Sequence, residues 1–233
     1  MQRVSVKPRK NWEKIVEKEQ GLTFNKSVHP ATGETVNYWN EETVYEFTYD
    51  EVSKLEKATE DAHKMYLEVA KFLAEEQKNP NSPFKNMFIP DYAVEYAVES
   101  LNRGDEDIYG RFDLALVNND DDPIVKILEY NNDTPTGLWE AAVMQWYRIQ
   151  DMSPETDQWN SIHESLISKW AQIKVDNPTK LLHFAHCELD KTHEELMTTS
   201  YMRDVAEQGG WSGHTVGLSM GEIGLDGDKF VDL

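Results

Sequence analysis

Apolar positions along this chain fall in two patterns. Short apolar runs rich in β-branched and aromatic residues occupy residues 112–117 and 124–130, and the polar run Asn-Asn-Asp-Asp-Asp-Pro between them reads as a turn. These runs predict a β-hairpin. A period of three to four marks helices. Val52, Leu55, Ala58, Ala62, Met65, Val69 and Phe72 trace a long one that opens at an Asp50 N-cap and continues to about Glu76. That spacing makes Met65, Tyr66 and Phe72 core residues. Shorter helices are expected from Asn11 to about Gln20, ended by Gly21, from about Pro90 to Asn102, and from Leu138 to about Ile149. Ser153-Pro154-Glu155 has the N-cap and first-turn proline of a helix running to about Gln172, with Trp159, Ile162, Leu166, Ile167 and Trp170 on its buried stripe. Residues 181–186 read as a strand, Thr192 to about Gln208 as a helix closed by Gly209-Gly210, and residues 214–218 as a strand. That order is a βαβ unit of a parallel sheet.

A strand also precedes the long helix, over residues 44–47, while residues 27–36 and 78–90 read as loops. The fold class is α/β. The expected core is one sheet holding residues 112–117, 124–130, 181–186 and 214–218. A mostly helical N-terminal region, residues 1–103, packs against an α/β region, residues 104–233.

Composition narrows the partners. Twenty-three basic against forty-three acidic residues give a formal charge of −20, which repels nucleic-acid phosphates and anionic membrane and draws in cations. Seven tryptophans and ten tyrosines with 39% hydrophobic content argue for a packed globule. The lone cysteine, Cys187, excludes an intramolecular disulfide, sits in the apolar run LLHFAHC as an expected buried thiol, and suits a cytoplasmic location. No stretch approaches the roughly 18 apolar residues of a spanning helix. His183 and His186, three apart on a strand, point to opposite faces and make no strand-based metal pair. A Walker loop, a dinucleotide fingerprint and a Ser-His-Asp arrangement are all missing from the sequence.

The candidate chemistry lies on the hairpin. Arg111 and Asp113 on one run, and Glu129 and Asn131 on the other, are spaced two apart, so each pair shares a strand face. Two carboxylates and an amide oxygen are hard ligands of the kind Mg²⁺ takes beside phosphate and water, and a guanidinium grips a carboxylate or phosphoryl group bidentately. A solvated strand face with surface ion pairs is the other reading of the same spacing. Thr134-Pro135-Thr136-Gly137 then ends the strand and opens a helix, the place where α/β folds bind anions.

The segments YGRFD, ILEYNNDTPTGLWEAA and YWNEETVYEFT resemble the synthetase domain of the glutathionylspermidine synthase family, ligases of the ATP-grasp type. The resemblance implies a pre-ATP-grasp-like sheet with flanking helices, and an ATP-dependent ligase joining a glutathione-like peptide to a polyamine. It implies that Arg111 is catalytic, handling the reacting carboxylate, that Asp113, Glu129 and Asn131 hold Mg²⁺, and that Thr134 and Thr136 contact the peptide. The tail GEIGLDGDKFVDL resembles the family where two adjacent acidic residues approach the amine; here Glu222 is acidic and its neighbour is Gly221. The glycine-rich lid and lysines that hold ATP in the family have no counterpart in these 233 residues. They are therefore expected to act as part of a longer ligase or with a second chain that docks on the strand edge at 214–218, and to be inactive alone. The alternative is a non-catalytic protein that keeps the pocket to bind a peptide, a polyamine or a metal.

Overall fold

The computed structural model describes residues 1–85, 90–117, 122–132 and 136–233. In chain order its elements are β1 (Gln2–Ser5), α1 (Trp12–Lys14, continued by a π turn at Ile15–Glu19), β2 (Lys26–Val28), β3 (Thr35–Asn37), β4 (Thr43–Glu46), α2 (Tyr49–Glu76) and α3 (Asp91–Arg103). There follow β5 (Gly110–Val117), β6 (Ile124–Asn132), a π turn at Glu140–Met144 leading into α4 (Gln145–Met152), α5 (Ile162–Asp176), β7 (Leu182–His186) and α6 (Glu194–Ala206). A π turn at Glu207–Trp211, β8 (Thr215–Ser219), a 3₁₀ turn at Met220–Glu222, β9 (Ile223–Asp226) and β10 (Lys229–Asp232) complete the chain. These elements form two compact units, one of Met1 and residues 47–134, the other of residues 2–46 and 135–233. Their bounds fall elsewhere than the 103/104 boundary read from the sequence.

The chain is α/β, with the strands in small sheets. Among the described residues, β5 pairs only with β6, antiparallel, and β7 only with β8, parallel. The expected single sheet of four strands is therefore wrong. Alternation along a strand fixes which side chains share a face, but the choice of a neighbouring strand depends on long-range closure that no local pattern encodes. The βαβ unit is present, with β7 and β8 in register from Leu182 opposite Thr215 to His186 opposite Ser219, joined through α6. The stretch read as a loop, residues 27–36, contains the β2–β3 hairpin, and β1 pairs with β4, so the first hundred residues carry more strand than expected.

In the first unit α2 opens at Thr48, not at Asp50. The Thr48 hydroxyl accepts the Glu51 N–H at 3.2 Å and the Glu51 carboxylate accepts the Thr48 N–H at 2.9 Å, a reciprocal capping box that leaves Asp50 in the first turn. The expected core stripe of α2 is largely open: Ala62 is buried, but Met65 is 59% and Phe72 50% exposed. Periodicity identifies an apolar face without supplying anything to cover it. Tyr66 does pack, edge-on against Phe112 and Tyr130 of the hairpin.

The second unit holds the core. Val16, Leu22, Phe24, Trp39 and Met144 form one cluster, with Trp12, Trp139 and Met197 against it. Trp170 meets Phe184 and Trp211 edge-on, and the buried Trp211 indole donates to the Trp170 carbonyl at 2.9 Å. Gly209 makes that approach feasible, since a Cβ there would lie 2.8 Å from the Trp170 Cβ and 2.9 Å from the Ile167 carbonyl. Helix α5 starts at Ile162, nine residues after the proposed Ser153 cap. Ser153 instead closes α4, and the Asn160 side chain accepts the Ile162 N–H at 3.0 Å. Trp159 lies before the helix and is exposed, while Leu166 and Trp170 keep the expected buried positions. Helix α6 starts at Glu194 and runs through the π turn past Gly209, where Gly210 takes a positive φ of 97°. Cys187 is half-buried beyond β7, not enclosed. No helix among the described residues is long and apolar enough to cross a membrane.

Candidate functional site

The hairpin presents two chemically different faces, and the strand register decides which residues meet. Arg111 lies opposite Asn131 and Asp113 opposite Glu129, so the four polar candidates form two cross-strand pairs on one face. On the other face Phe112 stacks on Tyr130, with ring centroids 3.9 Å apart and planes 9° apart. The register shifts after Asp113, where Leu114 pairs with Ile127 and leaves Leu128 as the extra residue, 68% exposed. Without that bulge Ile127 would share a face with Glu129. With it, Ile127 joins the apolar face and the carboxylate keeps its place.

The polar face is internally hydrogen-bonded. Arg111 Nε donates to Asp113 Oδ1 at 3.3 Å, and Asn131 Nδ2 donates to Glu129 Oε1 at 2.9 Å. Both contacts are accessible to water, with more than a third of the Arg111 and Asp113 side chains exposed. Behind them the Tyr130 hydroxyl donates to Asn132 Oδ1 at 3.2 Å and meets His63 Nδ1 of α2 at 3.1 Å, which anchors β6 to the helix. Gly110 of the YGRFD segment lets those side chains close across β5. A Cβ there would lie 2.8 Å from both Asn132 Oδ1 and the Tyr130 ring. His63, Tyr130 and Asn132 were not anticipated from sequence; the doubled asparagine of EYNN was the one visible hint.

Of the remaining candidates, Thr134 lies outside the described residues. Thr136 is exposed and belongs to the second unit, as does Glu222. Glu222 sits in the 3₁₀ turn after β8, where its Oε2 accepts the Ser219 N–H at 2.7 Å. It borders a groove of about 470 Å³ at the C-terminal ends of the parallel strands, lined also by His186, Ser219, Arg203 and Glu207. Glu188 accepts the Gly221 N–H at 3.2 Å, and its Oε1 would stand 2.5 Å from a Cβ at 221. Its own backbone N–H and that of Gly221 hold the Glu188 carboxyl below its ordinary range. A neighbouring carboxylate thus occupies the space that a side chain at 221 would take.

The second unit also contains an ionic network that sequence reasoning missed, although part of it lies in the YWNEE segment. Arg9 grips Glu41 with a fork, Nε to Oε2 at 3.2 Å and Nη2 to Oε1 at 2.6 Å, and reaches Asp151 Oδ2 at 2.7 Å. The Trp39 indole donates to Glu41 Oε1 at 2.7 Å, and Arg148 Nη2 donates to the Glu41 carbonyl at 2.9 Å. Burial alone would raise the Glu41 carboxyl, but the Arg9 fork, the Trp39 N–H and the charges of both arginines outweigh it and hold it low. Nothing in hydrophobic periodicity marks a polar residue that is buried because it is paired.

Asp113, Glu129 and Asn131 carry the donor chemistry of a hard divalent ion. Among the described residues no group of three His, Cys, Asp or Glu side chains is placed to hold a metal. The hairpin supplies two carboxylates and an amide, and Asn131 now turns its NH₂ towards Glu129, so metal binding requires its amide to rotate. Such a set fits an ion that takes its remaining ligands from phosphate and water.

Comparison with known proteins agrees with these motifs. The family described as "Glutathionylspermidine synthase preATP-grasp" matches residues 3–233. The "Putative acid--amine ligase" of Haemophilus influenzae is 33% identical over 201 residues, covering 84% of this chain. This chain spans 48% of that relative's own length.

Proposed function

Because the chain belongs to the glutathionylspermidine synthase preATP-grasp family, we propose that it forms the carboxylate- and metal-binding part of an ATP-dependent carboxylate–amine ligase. The observation that carries this reading is the cross-strand pairing of Arg111 with Asn131 and Asp113 with Glu129 on one exposed hairpin face. In the reaction, the γ-phosphoryl of ATP passes to a peptide carboxylate oxygen, and an amine nitrogen then displaces phosphate to form the amide. Arg111 orients the carboxylate through its planar fork and balances the charge that develops on the acyl phosphate. Asp113, Glu129 and the Asn131 amide oxygen would hold Mg²⁺, which would neutralise phosphate charge. Thr134 and Thr136 contact a glutathione-like peptide and Glu222 the amine, with spermidine as the expected polyamine.

The test is kinetic. Arg111→Lys in the complete ligase keeps the charge and loses the fork. It is expected to lower kcat/KM for the peptide by about 10²-fold, the size seen when one preorganised donor is removed, with an unchanged circular dichroism spectrum. A folded variant with near-parental turnover would reduce Arg111 to a surface ion-pair residue.

A further inference from the structure

Glu140 opens the π turn before α4 and is 7% exposed. Its Oε1 accepts the Tyr38 hydroxyl at 2.5 Å, but its Oε2 is enclosed and meets no donor. A desolvated carboxylate oxygen without a donor is costly, so it marks a place built to receive one. The surroundings are acidic. Burial first, then the negative charge of Glu140, then those of Asp190 and Glu195, raise the carboxyl of Glu194 in the first turn of α6. Among the described residues no lysine or arginine forms an ion pair with Glu140 or Glu194. Local backbone geometry is also unusual. The π turn is held by the Asn160 side-chain amide, which donates to the Ala141 carbonyl, and such turns gather at functional sites. Tyr38, which holds the other oxygen of Glu140, is 46% exposed, and Glu194 is half-buried.

The missing partner is a cation with N–H donors. Hard divalent ions such as Mg²⁺ and Ca²⁺ take six or more oxygens and Zn²⁺ takes three or four protein ligands, and among the described residues no three acidic, His or Cys side chains are grouped to begin either shell. A primary ammonium carries one charge and three donors, matched to Glu140 Oε2 and the Glu194 carboxylate. We propose that Glu140, with Glu194, binds the primary ammonium group of a small ligand, either an alkylamine or the free amino end of a peptide. This assignment stands on the orphaned carboxylate in the second unit and not on the ligase reading of the Arg111 face.

Thermal melts of the 233-residue protein followed by tryptophan fluorescence test it, because Trp139 is the adjacent residue. Methylammonium chloride should raise Tm saturably. Tetramethylammonium, equally charged but without N–H donors, should raise it no more than sodium does. Glu140→Gln, which keeps an acceptor for Tyr38, should abolish the methylammonium response, and Glu194→Gln should reduce it. An equal response to the two ammonium ions, or a parental response in Glu140→Gln, overturns the site. Should Glu140→Gln fail to fold, a parental response in the less buried Glu194→Gln overturns it instead. Spermidine and glutathione arms identify the source, since the ligand that saturates at the lower concentration and loses its effect in the variants is the one whose ammonium is held.

Discussion

In the second unit an arginine and a glutamate meet in a dry interior, with the Arg9 side chain 5% and the Glu41 side chain 1% exposed. In the first unit Arg111 and Asp113 meet on a strand face, 37% and 43% exposed. The same guanidinium–carboxylate contact serves different ends. A buried pair carries a desolvation cost that only full hydrogen bonding offsets, and Glu41 accordingly receives Arg9, Trp39 and the charge of Arg148. An exposed pair is worth about 0–1 kcal/mol, so its members can exchange partners for a ligand at little expense to the fold. The cores differ in the same sense. Ala62 is the one buried apolar side chain of the first unit among the described residues, and all the others belong to the second. One unit is built to be stable, and the other to present groups. All seven tryptophans lie in the second unit, so their fluorescence reports on it selectively.

The largest expected effect is therefore Glu41→Ala. It leaves Arg148 buried without its carboxylate and Arg9 with Asp151 alone, a change of the kind that costs about 3–5 kcal/mol. Urea unfolding monitored by tryptophan fluorescence reads it directly. Because the folded-state carboxyl is held below its ordinary range, the parent's share from Glu41 is complete above the unfolded value of about 4.3 and is lost as pH falls through the folded value. The variant's unfolding midpoint should consequently depend less on acid than the parent's. A loss under about 1 kcal/mol would mean that water reaches the network, and the contrast between the units would fail.

A second, smaller effect tests how tightly the second unit is packed. Gly209→Ala places a methyl against the Trp170 Cβ and the Ile167 carbonyl, with a backbone neighbour that cannot swing aside. Overpacking of this type costs about 1–3 kcal/mol, read as a lower tryptophan-monitored urea midpoint at an unchanged slope. A neutral outcome would show that α5 and the turn after α6 separate readily, so that the second unit is not tightly packed there.

What could be read in advance follows from where the information resides. Helices α2, α3 and α6, the β5–β6 hairpin and the βαβ order are properties of runs of ten to thirty residues, and local periodicity, composition and turn residues specify them. The pairing of whole strands is not local, so one sheet was expected where β5–β6 and β7–β8 are separate. Ser153-Pro154-Glu155 has the composition of a helix start and is used as a helix stop. The hairpin β2–β3 is hidden within turn residues. At the site, two-residue spacing correctly grouped Arg111 with Asp113 and Glu129 with Asn131, but the bulge after Asp113, which keeps Ile127 off the polar face, leaves no trace in composition. Glu140 and Glu41 were illegible for one shared reason, that each is a charged residue whose burial is decided by partners distant in sequence.

The smallest effect expected on stability is at the hairpin, and it is the most informative about function. Glu129→Ala removes the acceptor of the Asn131 amide on an exposed face, so it should cost no more than about 1 kcal/mol and leave the tryptophan transition unmoved. Its consequence should appear only with ligand. Mg²⁺ together with ATP is expected to slow hydrogen exchange at the β5–β6 amides of the parent, by the factor 1 + [L]/Kd that binding to the native state confers. Mg²⁺ alone should do so less, because this ion commonly completes its shell with substrate phosphate. In Glu129→Ala the slowing should vanish. Equal protection in parent and variant would remove Glu129 from the metal set. A loss of 3 kcal/mol or more without ligand would show that the polar face is itself structural, since exposed pairs do not carry that much; the exchangeable hairpin would then be as fixed as the buried network.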